Sequence, residues 1–211
     1  MIVAESIIIQ QFCDAPVIGM HAGHPFGKIP YLDTCLQHIP AEGHVMEFGV
    51  WRGNSLRGIC NNVSPRIVWG FDSFEGLPEP WDRGAGTYAK GHFSLEGNIL
   101  DGVPNNARLV KGFFEDTLQG WCDDNPGDVA LLHIDSDLYS SARTVLDTLA
   151  DRIVQGTVIM FDELIDFNES GVYPLWREGE WRALCEWVDV TGRDVEVLCR
   201  TEQFQACVRV V

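Results

Sequence analysis

Apolar residues along this chain fall into two alternating patterns. Short unbroken runs, "VALLHI" and "TVIMF", have the character of strands buried on both faces. Between them stand stretches whose apolar positions recur at helical spacing, such as "SSARTVLDTLADRI" and "EGEWRALCEWVDVTG". In the latter, Trp181, Leu184, Cys185 and Val188 share one helical face. Earlier in the chain, "IPYLDTCLQHI" predicts a helix, "HVMEFGV" a strand, "GNSLRGICNNV" a helix and "RIVWGFD" a second strand. "ARLVKGFF" predicts the third strand, "EDTLQGWCDD" a short helix, "DVALLHID" the fourth strand and "GTVIMFDE" the fifth. "DVEVLCR" and "FQACVRVV" close the chain as two strands joined by a short turn.

Strands alternating with helices predict an α/β fold with a doubly wound, mostly parallel sheet. The last two strands predict an antiparallel hairpin at its end. Residues 1–211 read as one domain, with 1–40 as a helical and loop cap and the glycine-rich segment 79–98 as a lid loop. In an open sheet of this kind the ligand sits beyond the carboxyl ends of the strands. Those ends are residues 47–49, Asp72, Gly112, Asp135 and Asp162, so the candidate chemistry gathers on one edge.

Composition narrows the function. The chain has 211 residues, 45% of them hydrophobic, and a formal net charge of −16. That size suits one sizeable core. That charge repels phosphate backbones, which excludes a nucleic-acid partner and leaves a neutral or cationic small molecule. Seven cysteines without a C-x-x-C pair suit a reducing, cytoplasmic location. The apolar start lacks a basic n-region, so no signal peptide is expected. No stretch is long and apolar enough to span a membrane.

Several residues at the sheet edge carry chemistry. In "EFGVWRGNS", Gly49 and Gly53 permit a tight turn and close approach of a ligand, and the helix that follows offers free N–H groups. Asp72 ends the second strand, where a carboxylate can take both hydroxyls of a ribose or, with Ser73, close a turn. Gly112, Phe113 and Phe114 supply an apolar wall for an adenine ring or simply core. Two apolar strands end in acids, "HIDSDLY" and "TVIMFDE". Carboxylates at such ends are costly unless paired or bound to a cation. Asp135, Asp162 and Glu163 are therefore either candidate ligands for Mg²⁺, Ca²⁺ or Mn²⁺ or three independent loop acids in an acidic protein. Asp137 is expected to cap the next helix, and His133 to be a hydrogen-bonded core residue. His21, His24 and His92 lie in loops and are weak candidates for a base. Trp176 and Trp187 are candidates for a pocket wall, and Glu178 and Glu180 are expected in solvent.

Taken in order, "EFGVWRGNS", "GFDSFEGLPEPW", "VKGFFEDTL", "LLHIDSDLYSSARTVLDTL", "GTVIMFDE" and "PLWREGEW" resemble the macrocin O-methyltransferase (TylF-like) family of class I S-adenosylmethionine-dependent methyltransferases. The resemblance implies a Rossmann-like, seven-stranded sheet whose last strand is antiparallel. It implies that Gly49, Gly53 and Ser55 hold the methionine end of the cofactor, that Asp72 holds the ribose, and that Gly112 and Phe113 border the adenine. Glu47 and Ser73 join the candidate cofactor-binding set. Metal-dependent relatives place ligands at positions that map onto Asp135, Asp162 and Glu163. If a separate protein base serves, Asp135 or a loop histidine is the candidate catalytic residue. "FDE" stands here where that family usually has "DDY".

The expected function is a Mg²⁺-dependent O-methyltransferase acting on a hydroxyl of a small sugar-like or secondary-metabolite acceptor. A homo-oligomer is compatible with it. The competing readings are a metal-independent N- or O-methyltransferase, a non-catalytic nucleotide-binding module, and a nucleotide-sugar oxidoreductase. The missing G-x-G-x-x-G counts against the last.

Overall fold

Strand β7, Val129–Ile134, is buried at every position, as an apolar run between two helical layers must be. It sits at the middle of the sheet. The computed structural model describes residues 3–19 and 29–211. His21 and His24 lie outside the described residues.

Among the described residues the main sheet has eight strands, in the order β1 (Val17–Ile18), β9 (Val195–Thr201), β10 (Ala206–Val210), β8 (Ile153–Phe161), β7, β2 (His44–Phe48), β3 (Val68–Asp72) and β6 (Ala107–Lys111). Strand β10 runs antiparallel to both its neighbours, and the other pairs are parallel. From β2 the chain winds outward through β3 to β6, then returns to the other side of β2 at β7. The winding reverses between β2 and β7, and a crevice opens at such a point.

Helices α1 (Val3–Asp14), α4 (Phe114–Asp124), α5 (Tyr139–Thr148) and α6 (Glu180–Thr191) cover one face, contributing Phe12, Leu118, Val145 and Trp181 to its core. Helices α2 (Ile29–Leu36) and α3 (Asn54–Val63) cover the other with Tyr31, Leu32, Leu56 and Ile59. Strand residues alternate between the two cores: Met46 and Leu132 go to the first, Val45 and Leu131 to the second. On α6, Trp181, Leu184, Cys185 and Val188 are all buried, as their helical spacing predicts.

Three local features differ from the sequence reading. The sheet gains an eighth strand because Val17 and Ile18 pair with Arg200 and Thr201 on the edge of β9, and two residues carry no periodic signal. Helix α5 ends at Thr148, and β8 starts at Ile153 rather than at Gly156. Gly156 instead sits, with φ 93°, beside a register shift between β7 and β8, where the Thr157 hydroxyl donates to the Val129 carbonyl at 2.6 Å. Within segment 79–98, Trp81–Asp82 (β4) and Thr87–Tyr88 (β5) form a small antiparallel ribbon. Arg83 sits among the rings of Trp81, Tyr88, Tyr173 and Phe204, its Cζ between 5.0 and 5.8 Å from their centroids, so this part of the segment is anchored to the body.

Candidate active site

The site forms where β2 and β7 end side by side. Gly49 has φ 94°, and a Cβ there would stand 1.8 Å from the Asp135 carbonyl oxygen. Any side chain would force the two strand ends apart, so glycine is a requirement of the crevice. Gly53 takes φ 72° as the N-cap of α3. Asp72 ties this turn to β3: its Oδ2 accepts N–H bonds from Val50 (2.8 Å) and Trp51 (2.7 Å), and its Oδ1 accepts from Phe74 (2.6 Å). Trp51 and Phe74 both have positive φ, 47° and 57°. One carboxylate therefore holds two strained residues in place, a folding role that lies beside the expected ribose contact.

Beyond these ends lies a cavity of about 750 Å³, within the usual range for small-molecule sites. Gly49, Ser55, Asp72, Ser73 and Phe113 line it, which brings five of the predicted cofactor residues to one cavity. Gly53 and Gly112 shape the neighbouring turns without lining it; the Gly112 N–H donates to the Asp72 carbonyl at 3.0 Å. Glu47 is fully buried beneath the floor and reaches the cavity through Ser55 and His133.

The two acid-bearing ends also converge. Asp135 and Asp162 line the cavity with His133, and one ligand atom from each of the three lies within 4.8 Å of the others. His133 is buried, as expected, but it is not merely core. Its Nδ1 stands 3.0 Å from Glu47 Oε1 and its Nε2 stands 3.5 Å from Asp162 Oδ1. Burial pushes the Glu47 carboxyl above its ordinary range, and the His133 contact opposes the rise. Glu163 lines the same cavity but is outside that three-residue group.

Asp137 is not the N-cap residue of α5. Leu138 occupies the N-cap position with no side-chain capping bond, and Asp137, at φ 64°, lines the cavity instead. The left-handed turn redirects its side chain, and strand alternation could not have foreseen that. Glu180 is not in solvent either. It is 0% exposed, with Ser136 and Glu163 N–H groups donating to it at 3.2 Å each. Burial pushes its pKa up to about 8 against the pull of the Ser136 N–H, and the nearby Asp135 and Asp137 charges add to the rise. Glu178 is exposed, as expected. Trp176 and Trp187 belong to the core rather than to the cavity wall. His92 stacks on Tyr88 with centroids 4.4 Å apart and does not line the cavity, although the adjacent Phe93 does.

The family model for macrocin-O-methyltransferase (TylF) matches residues 27–173, a span holding the glycine turn, Asp72, Phe113 and both acid-bearing strand ends. The chain belongs to that family. An 8-demethyl-8-(2,3-dimethoxy-alpha-L-rhamnosyl)-tetracenomycin-C 4'-O-methyltransferase of Streptomyces olivaceus is 29% identical over 165 residues, 64% of this chain and 59% of its own length. The matches span little more than half the length of the curated relatives. Among solved structures, CalS11, a calicheamicin methyltransferase, shares the fold with a TM-score of 0.67 at 22% identity, over 89% of this chain and 80% of that one. MycE from the mycinamycin pathway, in complex with Mg and SAH, superposes with a TM-score of 0.56 at 15% identity, over 90% of this chain and 50% of that one.

Proposed function

We propose that this chain is an S-adenosylmethionine-dependent O-methyltransferase that uses a divalent cation, Mg²⁺ or a similar ion, to methylate a hydroxyl of a small sugar-like acceptor. The observation that carries this reading is the convergence of Asp135 and Asp162 on a cavity that Gly49 and Asp72 also line. The residues present fit both groups. Gly49, Ser55, Asp72 and Ser73 line the cavity with small and polar groups suited to the cofactor, and the donor set offers hard oxygens. The family, and a relative named for a sugar 4'-O-methylation, support the acceptor class.

Gly49 and Ser55 hold the methionine end of the cofactor, Asp72 and Ser73 the ribose, and Phe113 the adenine. Gly53 and Gly112 act by shaping the turns that present them, and Glu47 by fixing Ser55 and His133. When bound, the cofactor supplies an electrophilic sulfonium methyl, and the cation supplies acidification and orientation of the acceptor hydroxyl. Asp135, Asp162 and Glu163 provide the ligand oxygens, and His133 orients Asp162 from behind. Asp137, which lines the same cavity, would accept the proton of the acceptor hydroxyl. Holding the reactants in line is worth ~7–11 kcal/mol in well-oriented systems. The acidic surface leaves no role for nucleic acid.

Thermal shift with S-adenosylhomocysteine, S-adenosylmethionine and NAD, each alone, tests the reading. The first two raise Tm, as ligands of the native state do, and NAD does not. Stabilisation by NAD alone would point to the oxidoreductase instead.

A further inference from the structure

Glu180 opens α6, outside the residues 27–173 that match the family model. Both of its carboxylate oxygens are occupied. Oε1 accepts the Ser136 backbone N–H at 3.2 Å and the Ser136 hydroxyl at 3.4 Å, and Oε2 accepts the Glu163 N–H at 3.2 Å. Ser136 stands between Asp135 and Asp137, and Glu163 follows Asp162. One side chain from a distant helix thus bonds to the backbone of both acid-bearing loops.

The position is an expensive one for a carboxylate. It is fully buried and faces the like charges of Asp135 and Asp137. A neutral amide would be cheaper to bury, but it offers a single acceptor oxygen. Both loops present N–H donors, so a carboxylate is the group that can satisfy both. The first turn of a helix also favours negative charge. The helix start is itself lodged in place: a Cβ on Gly179 would stand 2.1 Å from the Tyr173 hydroxyl, so the chain passes that ring with no slack.

The β7–β8 ladder reaches its end where the Asp162 N–H donates to the Ile134 carbonyl at 3.0 Å. Past that point the Glu180 carboxylate bridges the two loops. We propose that Glu180 is a positioning residue that sets the spacing between the Asp135 and Asp162 loops and thereby the affinity of the site for a divalent cation. This rests on the cation reading above. The cofactor residues stand on the turns after β2, β3 and β6 and at the start of α3, and none of them bonds to Glu180.

The test is Glu180→Gln, read by paramagnetic titration of Mn²⁺ into chain saturated with S-adenosylhomocysteine, alongside calorimetric titration of S-adenosylhomocysteine itself. The isosteric amide keeps one loop bond and loses the other. Mn²⁺ affinity should fall about 10–100-fold, the usual effect of removing a group that orients metal ligands, with S-adenosylhomocysteine affinity unchanged. Native Mn²⁺ affinity in E180Q overturns the positioning role and leaves the cation reading standing. Absence of Mn²⁺ binding by the native chain overturns both. If E180Q does not fold, hydrogen exchange of the native chain decides: the bridge requires slow exchange at the Ser136 and Glu163 amides, and fast exchange at either overturns it.

Discussion

Asp72 shows how one side chain serves folding and binding together. Its carboxylate accepts three backbone N–H groups from Val50, Trp51 and Phe74. Two of these donors belong to residues with positive φ, which pay for their conformation only while that acceptor is present. Asp72→Ala should therefore lower the stability of the ligand-free chain by about 1.5–3 kcal/mol and weaken S-adenosylhomocysteine as well. Denaturant melts and calorimetry of the same variant separate the two effects. An unchanged midpoint with unchanged affinity would remove Asp72 from both roles. Asp72, Gly49, Asp135 and Asp162 were legible in the sequence because strand ends can be counted from apolar runs. Asp137 and Glu180 were not. The first depends on a left-handed turn at φ 64°, and the second lies in the polar stretch "REGEW". Nothing local in that stretch reveals that loops from two other strands converge on it.

At the scale of elements, long periodic segments declared themselves and short or irregular ones did not. Helices α3 and α6 and strands β2, β3 and β7 stand close to where periodicity placed them. The two-residue β1 was invisible, and the glycine at 156 disguised the start of β8. Segment 79–98 reads from its glycines as one lid, but it has two parts. Residues 81–88 form the ribbon pinned by Arg83, whereas Phe93 lines the cavity and touches the Trp51 ring at 5.6 Å. The second part is the piece of the expected lid that reaches the cavity. Hydrogen exchange should show protection gained on adding S-adenosylhomocysteine in residues 89–98, which reach the cavity through Phe93, with less change in 81–88, which form the ribbon and do not line it. Equal exchange of 89–98 in the free and bound chain would contradict closure.

At the scale of the whole molecule, the sheet order does the work that no single motif can. Reversal of winding between β2 and β7 brings the glycine turn against the Asp135 loop, and the neighbouring β8 delivers Asp162 to the same point. Among the described residues no helix is long and apolar enough to cross a membrane. The whole chain carries a net charge of −16, so a cluster of acids within it gains from a cation that neutralises it. The most direct measurement is calorimetric titration of Mg²⁺ into chain saturated with S-adenosylhomocysteine, for the native sequence and for Asp162→Asn. The native chain should bind one Mg²⁺ and the variant none, with S-adenosylhomocysteine affinity alike in both. No Mg²⁺ binding by the native chain, or full binding by the variant, would show that "HIDSD" and "FDE" are structural strand endings and not a cation site.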